Sequence, residues 1–343
     1  MAITMKEAIV SKGPVVKIVD SEIPKPGLGQ ILIKVIVSGS NPKDWKVPEW
    51  TNKEQNSGDD IAGIVEAVGE NVRLFKKGDR VAAFHEMMKP GGSFAEYAIA
   101  WEHTTIHITD KLSFEEAATV PLVALTAAVG LFESANLALP SPWDPATTPT
   151  PLLVYGGASS VGAATIQLAA KANIHPIITV AGNGIPFVET LLDRSKGDTI
   201  VDYRDGDEAV ISGIKNALNG AKLIHAFDTI SEKGSYVNIG KVLDPKEGKI
   251  TFVLPIDETL VPEGVYKHRT MVGDVHAEWK DFGFVHFQNI AKGLAEGWFK
   301  AHPYQVVGGG LNGIEEALAN LKDGKASAIK YVFRVGETKG VTR

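Results

Sequence analysis

The segment from Leu152 to Gly162 has the residue types of a loop that binds phosphate. It reads LLVYGGASSVG, so an apolar strand runs into small residues and then into a helix with apolar periodicity. Gly156 and Gly157 allow a tight turn, and the helix N-terminus offers N–H groups and the positive end of its dipole to a pyrophosphate. We expect Gly162 to let the helix pack closely on the strand. The predicted dinucleotide contacts are Gly157, Ala158, Ser159, Ser160, Val161 and Gly162.

This segment lacks the complete G-x-G-x-x-G fingerprint, and a strand–glycine–helix junction can also be purely structural. The surrounding pattern decides between the two interpretations. From Leu152 onward, short apolar strands alternate with helices, which predicts a parallel sheet covered on both faces. Dinucleotide binding is therefore the favoured interpretation.

The end of the second strand of this series carries no acidic residue. Sites for NAD place Asp or Glu there, about 20 residues past the glycines, to bind the ribose 2′-hydroxyl. Here Ala181, Gly182 and Asn183 stand instead, and such side chains tolerate the 2′-phosphate that a carboxylate would repel. The sequence therefore favours NADPH. Tyr203, followed by Arg204, either closes that side of the site or packs as a strand-end aromatic, and the sequence leaves both readings open.

The chain contains no cysteine, which excludes thiol nucleophiles, iron–sulfur clusters and thiolate-bound zinc. His85-Glu86 is not followed by a histidine four residues after the first, so it is not the helical zinc motif. His103 and His107 have that spacing, but their β-branched neighbours predict a strand, in which they would lie about 13 Å apart. We therefore predict that the protein has no metal site.

The composition argues against nucleic acids and membranes as partners. The net charge is −6, and no stretch gathers basic residues into a stripe. No run of about 18 apolar residues predicts a membrane-spanning helix. The first residues lack an apolar segment behind basic ones, so a cytoplasmic location is expected.

Three different patterns succeed one another along the chain. Before residue 110, short apolar runs between turn residues predict a strongly bent unit of short β-strands. From Ser113 the pattern is helical, with Ser113 as N-cap and Glu116 completing a capping box, and a proline-rich loop follows. After the βα series, VYKHRTMVG predicts an edge strand, and the tail predicts two helices and a last strand. The tail sequences are DFGFVHFQNIAKGLAEGWF, GIEEALANLKDG and AIKYVFRV.

Seven short motifs follow one another in fixed order along the chain. They are NPKDWK (41–46), GDDIAG (58–63), GDRV (78–81), GSFAEY (92–97), LTA (125–127), DYR (202–204) and GKASAIK (324–330). Together they resemble the medium-chain dehydrogenase/reductases, in their zinc-less quinone and enoyl reductase branch, and the likeness is strongest to fungal ToxD-like proteins and trans-acting enoyl reductases of polyketide pathways. The resemblance implies an α/β fold, with a GroES-like β-barrel catalytic domain in residues 1–121 and 275–343 and a doubly wound Rossmann domain in residues 122–274.

The resemblance also implies a reaction. Relatives without zinc deliver hydride from NADPH to a carbon–carbon double bond conjugated to a carbonyl. It makes Lys46 a donor to the carbonyl or the nicotinamide ribose, Asn41 a neutral donor at a strand end, and Thr126 a residue lining the nicotinamide pocket. Residues 47–52 contain no tyrosine, so the proton donor is left open, with water as a candidate. The further cofactor contacts implied are Lys43, Asp44, Trp45, Lys46, Val253 and Leu254.

Two other functions stay open from the sequence. One is reduction of quinones or aldehydes on the same fold, and the other is an NADPH-binding protein with a non-catalytic structural role. The expected substrate is a small apolar molecule with a conjugated carbonyl, and the resemblance adds a polyketide synthase as a partner. The protein is expected to be a monomer or a homodimer.

Overall fold

The structure is a computed structural model that describes residues 4–341. The chain divides into two compact units. One, called the barrel unit below, runs to Leu122 and resumes at Gly273, and the other, called the Rossmann unit, is Val123–Val272. The domain boundaries after residues 121 and 274 stay a prediction.

The barrel unit begins as a series of short, mostly antiparallel strands. A hairpin of the first two strands is followed by a long strand that pairs with the fourth and sixth strands. Its pairing with the fourth strand is interrupted by two register shifts, and such irregularities bend and twist a sheet. The strands are β1 Thr4–Ser11, β2 Val15–Glu22, β3 Gln30–Gly39, β4 Asp60–Val68, β5 Arg80–Phe84, β6 Tyr97–Trp101 and β7 Thr105–His107.

Helix α1 Lys43–Thr51 lies between β3 and β4, and helix α2 Phe114–Ala117 follows β7. The predicted capping box starts α2. The Ser113 hydroxyl accepts from the Glu116 N–H at 3.1 Å, and the Glu116 carboxylate accepts from the Ser113 N–H at 2.9 Å. The helix predicted after Ser113 is broken, because Pro121 begins a new helix, α3 Pro121–Phe132.

The Rossmann unit contains a six-stranded parallel sheet with strand order β10-β9-β8-β11-β12-β13. The first strand, β8, therefore lies between β9 and β11, and the chain order reverses there. In open α/β sheets, such a switch point is where ligands bind, at the carboxyl ends of the strands. The elements are β8 Leu152–Tyr155, α4 Ser160–Lys171, β9 Ile177–Ala181, α5 Ile185–Glu189, β10 Thr199–Asp202, α6 Asp207–Leu218, β11 His225–Asp228, α7 Ser235–Gly240, β12 Lys249–Phe252 and β13 Tyr266–Arg269. The parallel sheet predicted from the βα pattern is confirmed.

The remaining elements return to the barrel unit, as α8 Lys280–Glu296, β14 Tyr304–Val306, α9 Ile314–Lys322 and β15 Lys330–Arg334. Strand β15 pairs antiparallel with β3 and parallel with β14, so the end of the chain completes the sheet that β3 begins. The two predicted tail helices and the last strand are confirmed. The predicted edge strand is also confirmed, since β13 is the outermost strand of the parallel sheet.

One apolar stretch has the length of a membrane span. Phe114–Phe132 is long and apolar enough to cross a membrane by length and composition alone. It is 83% buried inside the protein. Its apolar composition is thus explained by its position in the protein core.

Candidate active site

The turn after β8 is built so tightly that its glycines have no room for a side chain. Gly156 has φ of +90°, a conformation that favours glycine. A Cβ on Gly157 would lie 2.0 Å from Thr179 Oγ1, and a Cβ on Gly162 would lie 2.2 Å from the carbonyl oxygen of Gly156. The close packing expected of Gly162 is therefore confirmed.

The helix that follows points its N-terminus out of this turn. Ser159 is the N-cap of the 12-residue α4, and its hydroxyl accepts from the Gly162 N–H at 2.9 Å. The same hydroxyl lies 3.0 Å from Thr229 Oγ1, at the carboxyl end of β11. The backbone N–H groups of a first helical turn lack partners within the helix. Because Ser160 and Val161 are partly exposed, this N-terminus is open to a phosphate group.

The ends of β9 and β10 meet beside this turn. The ring of Tyr203 covers Gly182 so closely that a Cβ on Gly182 would lie 2.5 Å from it. Arg204 donates to Asn183 Oδ1 at 3.0 Å and to Asp202 Oδ1 at 2.9 Å. Hydrogen bonds from Arg204 lower the pKa of Asp202 to about 2. A guanidinium therefore stands at the end of β9, where the sequence alone showed no adjacent basic residue.

The other predicted cofactor residues of the Rossmann unit lie at or just after the carboxyl ends of the parallel strands. Ala181 is the last residue of β9 and is buried, whereas Ala158 in the turn is partly exposed. Val253 and Leu254 follow β12 directly, and the Val253 N–H donates to Ser231 Oγ at 3.0 Å. A tight glycine turn, an open helix N-terminus and a switch point fit a dinucleotide.

In the barrel unit, Asn41 belongs to a buried polar cluster. Its side-chain nitrogen donates to Asp60 Oδ2 at 2.7 Å. The ammonium of Lys330 donates to Asn41 Oδ1 at 3.0 Å and to Asp60 Oδ2 at 2.6 Å. The second carboxylate oxygen of Asp60 accepts from the Leu122 N–H at 2.7 Å. Asp60 and Lys330 are at most 3% exposed, so this ion pair is shielded from water.

A second buried cluster surrounds Lys43 at the start of α1. The Lys43 ammonium is ion-paired with Asp59, lies 3.1 Å from Asp44 Oδ1, and donates to the carbonyl oxygen of Ser57. Asp44 also accepts from the Asn41 N–H at 2.7 Å. His85 Nδ1 lies 2.8 Å from Asp59 Oδ1.

In this second cluster, the ammonium of Lys43 affects the pKa values of the two carboxylates unequally. Burial raises the pKa of Asp44 to about 7, against the pull of Lys43. Burial also acts to raise the pKa of Asp59, but Lys43 and His85 outweigh it and hold that pKa below its usual value. Burial disfavours the charged form of Lys43, yet the two carboxylates raise the pKa of its ammonium. Lys43 therefore serves mainly as the counter-ion of Asp59.

The remaining predicted residues are placed as follows. Lys46 is 7% exposed, and its ammonium lies 4.7 Å from the centre of the Trp45 ring. Lys322, on α9, contacts the same ring at 5.5 Å. Asn41, Lys43, Asp44, Trp45 and Lys46 thus share one strand–helix junction of the barrel unit, whereas Thr126 is a buried residue of α3 in the Rossmann unit.

The sequence did not assign a role to Asp59, Asp60, His85 or Lys330. The sequence does contain a signal for three of them, because a charged residue next to or within an apolar strand is unusual. Asp59-Asp60 stands before IAGIV, and Lys330 stands within AIKYVF. Within residues 4–341, no group of three or more histidine and acidic side chains is arranged to hold a metal ion.

Comparison with known proteins places these features in a family context. Residues 27–110 match the model of the alcohol dehydrogenase GroES-like domain. A trans-enoyl reductase of Gibberella fujikuroi is 49% identical over 317 residues, which covers 91% of this chain and 93% of the relative.

Two solved structures share the fold. The quinone oxidoreductase from Coxiella burnetii has a TM-score of 0.75 at 22% identity, with 97% of this chain and 100% of that chain covered. A mycobacterial protein solved in complex with NADPH also has a TM-score of 0.75, at 20% identity, with 96% of this chain and 99% of that chain covered. At these identities the structures support the fold alone.

Replacing Lys330 with methionine is expected to destabilise the protein strongly, because Asp60 would be left buried without its ammonium. Breaking a buried pair by removing one partner costs about 3–5 kcal/mol. Urea unfolding of Lys330→Met measures this loss. Lys292→Met is the control, since Lys292 is 67% exposed and its ion pair with Glu296 spans 3.7 Å. Equal stability of the two variants would show that the Lys330–Asp60 pair contributes nothing.

Proposed function

Because this chain belongs to the medium-chain dehydrogenase/reductase superfamily, in its enoyl reductase branch, we propose that it reduces a carbon–carbon double bond conjugated to a carbonyl. The protein is an oxidoreductase of this fold. The observation that carries the proposal is Lys46, a lysine only 7% exposed on helix α1, whose first residue Lys43 is ion-paired with Asp59 and Asp44. Addition of hydride to such a double bond creates an enolate, and a preorganised positive charge stabilises it.

The proposed cofactor is NADPH, which supplies the hydride when it is bound. Three observations support NADPH over NADH. The end of β9 carries no acidic residue, Arg204 donates a hydrogen bond to Asn183, and a structural neighbour was solved with NADPH. We assign the pyrophosphate to the turn and helix start formed by Gly157, Ala158, Ser159, Ser160, Val161 and Gly162. The 2′-phosphate is assigned to Ala181, Gly182, Asn183 and Tyr203, with the guanidinium of Arg204 beside them as its cation. The remaining contacts are assigned to Val253, Leu254, Lys43, Asp44, Trp45 and Lys46.

The barrel unit supplies the groups that act on the substrate. Lys46 donates to the carbonyl oxygen and stabilises the negative charge that develops there, because charge-assisted hydrogen bonds are the stronger ones. Asn41 retains one amide hydrogen beyond the one it gives to Asp60, and orients the substrate. We propose that Thr126, a buried residue of α3, lines the nicotinamide pocket. Residues 47–52 hold no tyrosine, so the donor of the proton to the α-carbon stays open, with water as the candidate.

The substrate is a small molecule whose double bond is conjugated to a carbonyl. The resemblance to trans-acting enoyl reductases of polyketide pathways extends the proposal to an intermediate carried by a polyketide synthase. A reductase of quinones is the second candidate, because the fold is shared with the quinone oxidoreductase from Coxiella burnetii.

Turnover with a panel of acceptors tests the function. The purified protein and NADPH are incubated with a trans-2-enoyl thioester, a cyclic enone, a benzoquinone and furfural, and NADPH absorbance is followed. We expect the thioester and the enone to be reduced, with deuterium from 4-deuterated NADPH appearing at the β-carbon. Reduction of the quinone alone would select the second candidate. Tight NADPH binding with no turnover of any acceptor would select a structural role.

Lys46→Ala is expected to lower kcat about 100-fold, the scale of losing one oxyanion donor. The physical reason is that the enolate oxygen loses its positive partner while the fold is kept. Lys53→Ala is the control, because Lys53 is exposed and follows the same helix. Circular dichroism checks that both variants are folded. An unchanged kcat/KM in Lys46→Ala would remove this residue from the mechanism.

Arg204→Gln is expected to weaken NADPH binding about tenfold and to leave NADH binding unchanged, since one charge-assisted hydrogen bond to phosphate is lost. Fluorescence titration with both cofactors measures this. Arg194→Gln is the matched control, because Arg194 forms the same kind of ion pair with Glu189 before β10, with hydrogen bonds of 2.8 and 2.5 Å. Equal losses for the two cofactors would contradict the phosphate assignment.

A further inference from the structure

Helix α1 carries Lys46 but has little stability of its own. Its N-cap is Pro42, and among the described residues no side chain caps its N-terminus. Pro48 lies inside the helix and has no N–H to donate to the carbonyl of Asp44. A nine-residue helix with such a defect is marginal unless tertiary contacts hold it.

Lys43, the first residue of α1, makes such contacts outside the helix. Its ammonium is ion-paired with Asp59 and donates to the carbonyl oxygen of Ser57, and within the helix it lies 3.1 Å from Asp44 Oδ1. Lys46 lies three residues later, one turn along the same face of the helix. Contacts that fix Lys43 therefore also fix the position of Lys46 along the axis of α1 and its direction around that axis.

Asp59 is itself held by the sheet. It directly precedes β4, whose first residue Asp60 pairs with Phe84 at the end of β5. The next residue, His85, donates its backbone N–H to the Asp59 carbonyl at 2.9 Å, and its Nδ1 lies 2.8 Å from Asp59 Oδ1. His85 Nε2 lies 3.2 Å from the carbonyl oxygen of Pro90, which sets the plane of the ring. The carboxylate thus has one orientation.

We propose that Asp59 is a positioning residue of the reductase site. Through Lys43 it fixes the first turn of α1, and with it the ammonium of Lys46, to the rigid pair of strands β4 and β5. His85 keeps the Asp59 carboxylate in the orientation that meets Lys43. This inference rests on the proposed function for its effect on turnover, but the fixation of α1 can be measured without a substrate.

The test compares Asp59→Asn with the wild type by hydrogen exchange and by kinetics. We expect the amides of residues 43–51 to exchange about tenfold faster or more, while those of β4 stay protected, because only the anchor of α1 is lost. The kcat for the enone is expected to fall about 100-fold, since a displacement of about 1 Å at a catalytic group has that effect. Binding of 2′,5′-ADP, which lacks the nicotinamide, should stay within about twofold because its assigned site is in the Rossmann unit.

Asp198→Asn is the matched control. Asp198 forms a buried pair with His175 at the same 2.8 Å distance, but in the Rossmann unit before β10. This variant loses a comparable buried pair, so it is expected to be less stable while its kcat and the exchange of residues 43–51 stay at wild-type values. If Asp198→Asn slows turnover as much as Asp59→Asn does, the effect of Asp59 is on stability and the positioning role is wrong.

Lys43→Gln is the second variant, and it covers the case that Asp59→Asn does not fold, because Lys43 is partly exposed. It should reproduce the faster exchange of α1. The double variant Lys43→Gln/Asp59→Asn should be no worse than either single change, since both act through one contact. Unchanged exchange of residues 43–51 in these variants would overturn the inference. A wild-type protein that reduces no acceptor would count against the proposed function instead, and the exchange result would still decide the inference.

Discussion

The site in the barrel unit depends on the rule that a charged side chain can be buried only with a partner of opposite charge. Asp59 and Asp60 are consecutive, both are at most 1% exposed, and each has its own ammonium. Successive side chains of an extended chain point to opposite sides. Asp60 therefore meets Lys330, the first residue of β15, and Asp59 meets Lys43, the first residue of α1. The ion pairs of this one dipeptide therefore link α1 and β15 to β4.

In the Rossmann unit the corresponding constraint is steric. Gly157 and Gly162 are surrounded so closely by Thr179 and by the Gly156 carbonyl that a Cβ at either position would collide with them. As a consequence, the backbone of the turn and the backbone at the start of α4 are in direct contact. They lie beside β8, the strand at which the sheet order reverses. At the rim of this unit Arg204 lies between Asp202 and Asn183 and donates hydrogen bonds to both.

The parts that the sequence predicted are those set by neighbouring residues. The capping box of Ser113 and Glu116, the close packing at Gly162 and the alternation of strands and helices all depend on residues a few positions apart. The ion pairs of Lys43 with Asp59 and of Lys330 with Asp60 could not be predicted this way, because the latter joins residues 270 positions apart. The apolar stretch of 114–132 is explained in the same way, since it reflects burial inside the protein. The sequence left open whether Tyr203 and Arg204 close the side of the site at the end of β9, and the hydrogen bond of Arg204 to Asn183 is a contact that local pattern does not indicate.

The burial of so many charges near α1 is poorly explained by stability. Replacing a buried ion pair by apolar side chains of similar volume is often neutral or stabilising, so a core of leucines would hold this helix at least as firmly. Apolar contact is non-directional, however, and it would tolerate a rotation of α1 about its axis. The ammonium of Lys43, with oxygens of Ser57, Asp59 and Asp44 around it, accepts few orientations. The proposed role of Lys46 needs its ammonium at a defined point, and the directed bonds of Lys43 supply an orientation of α1 that packing alone does not.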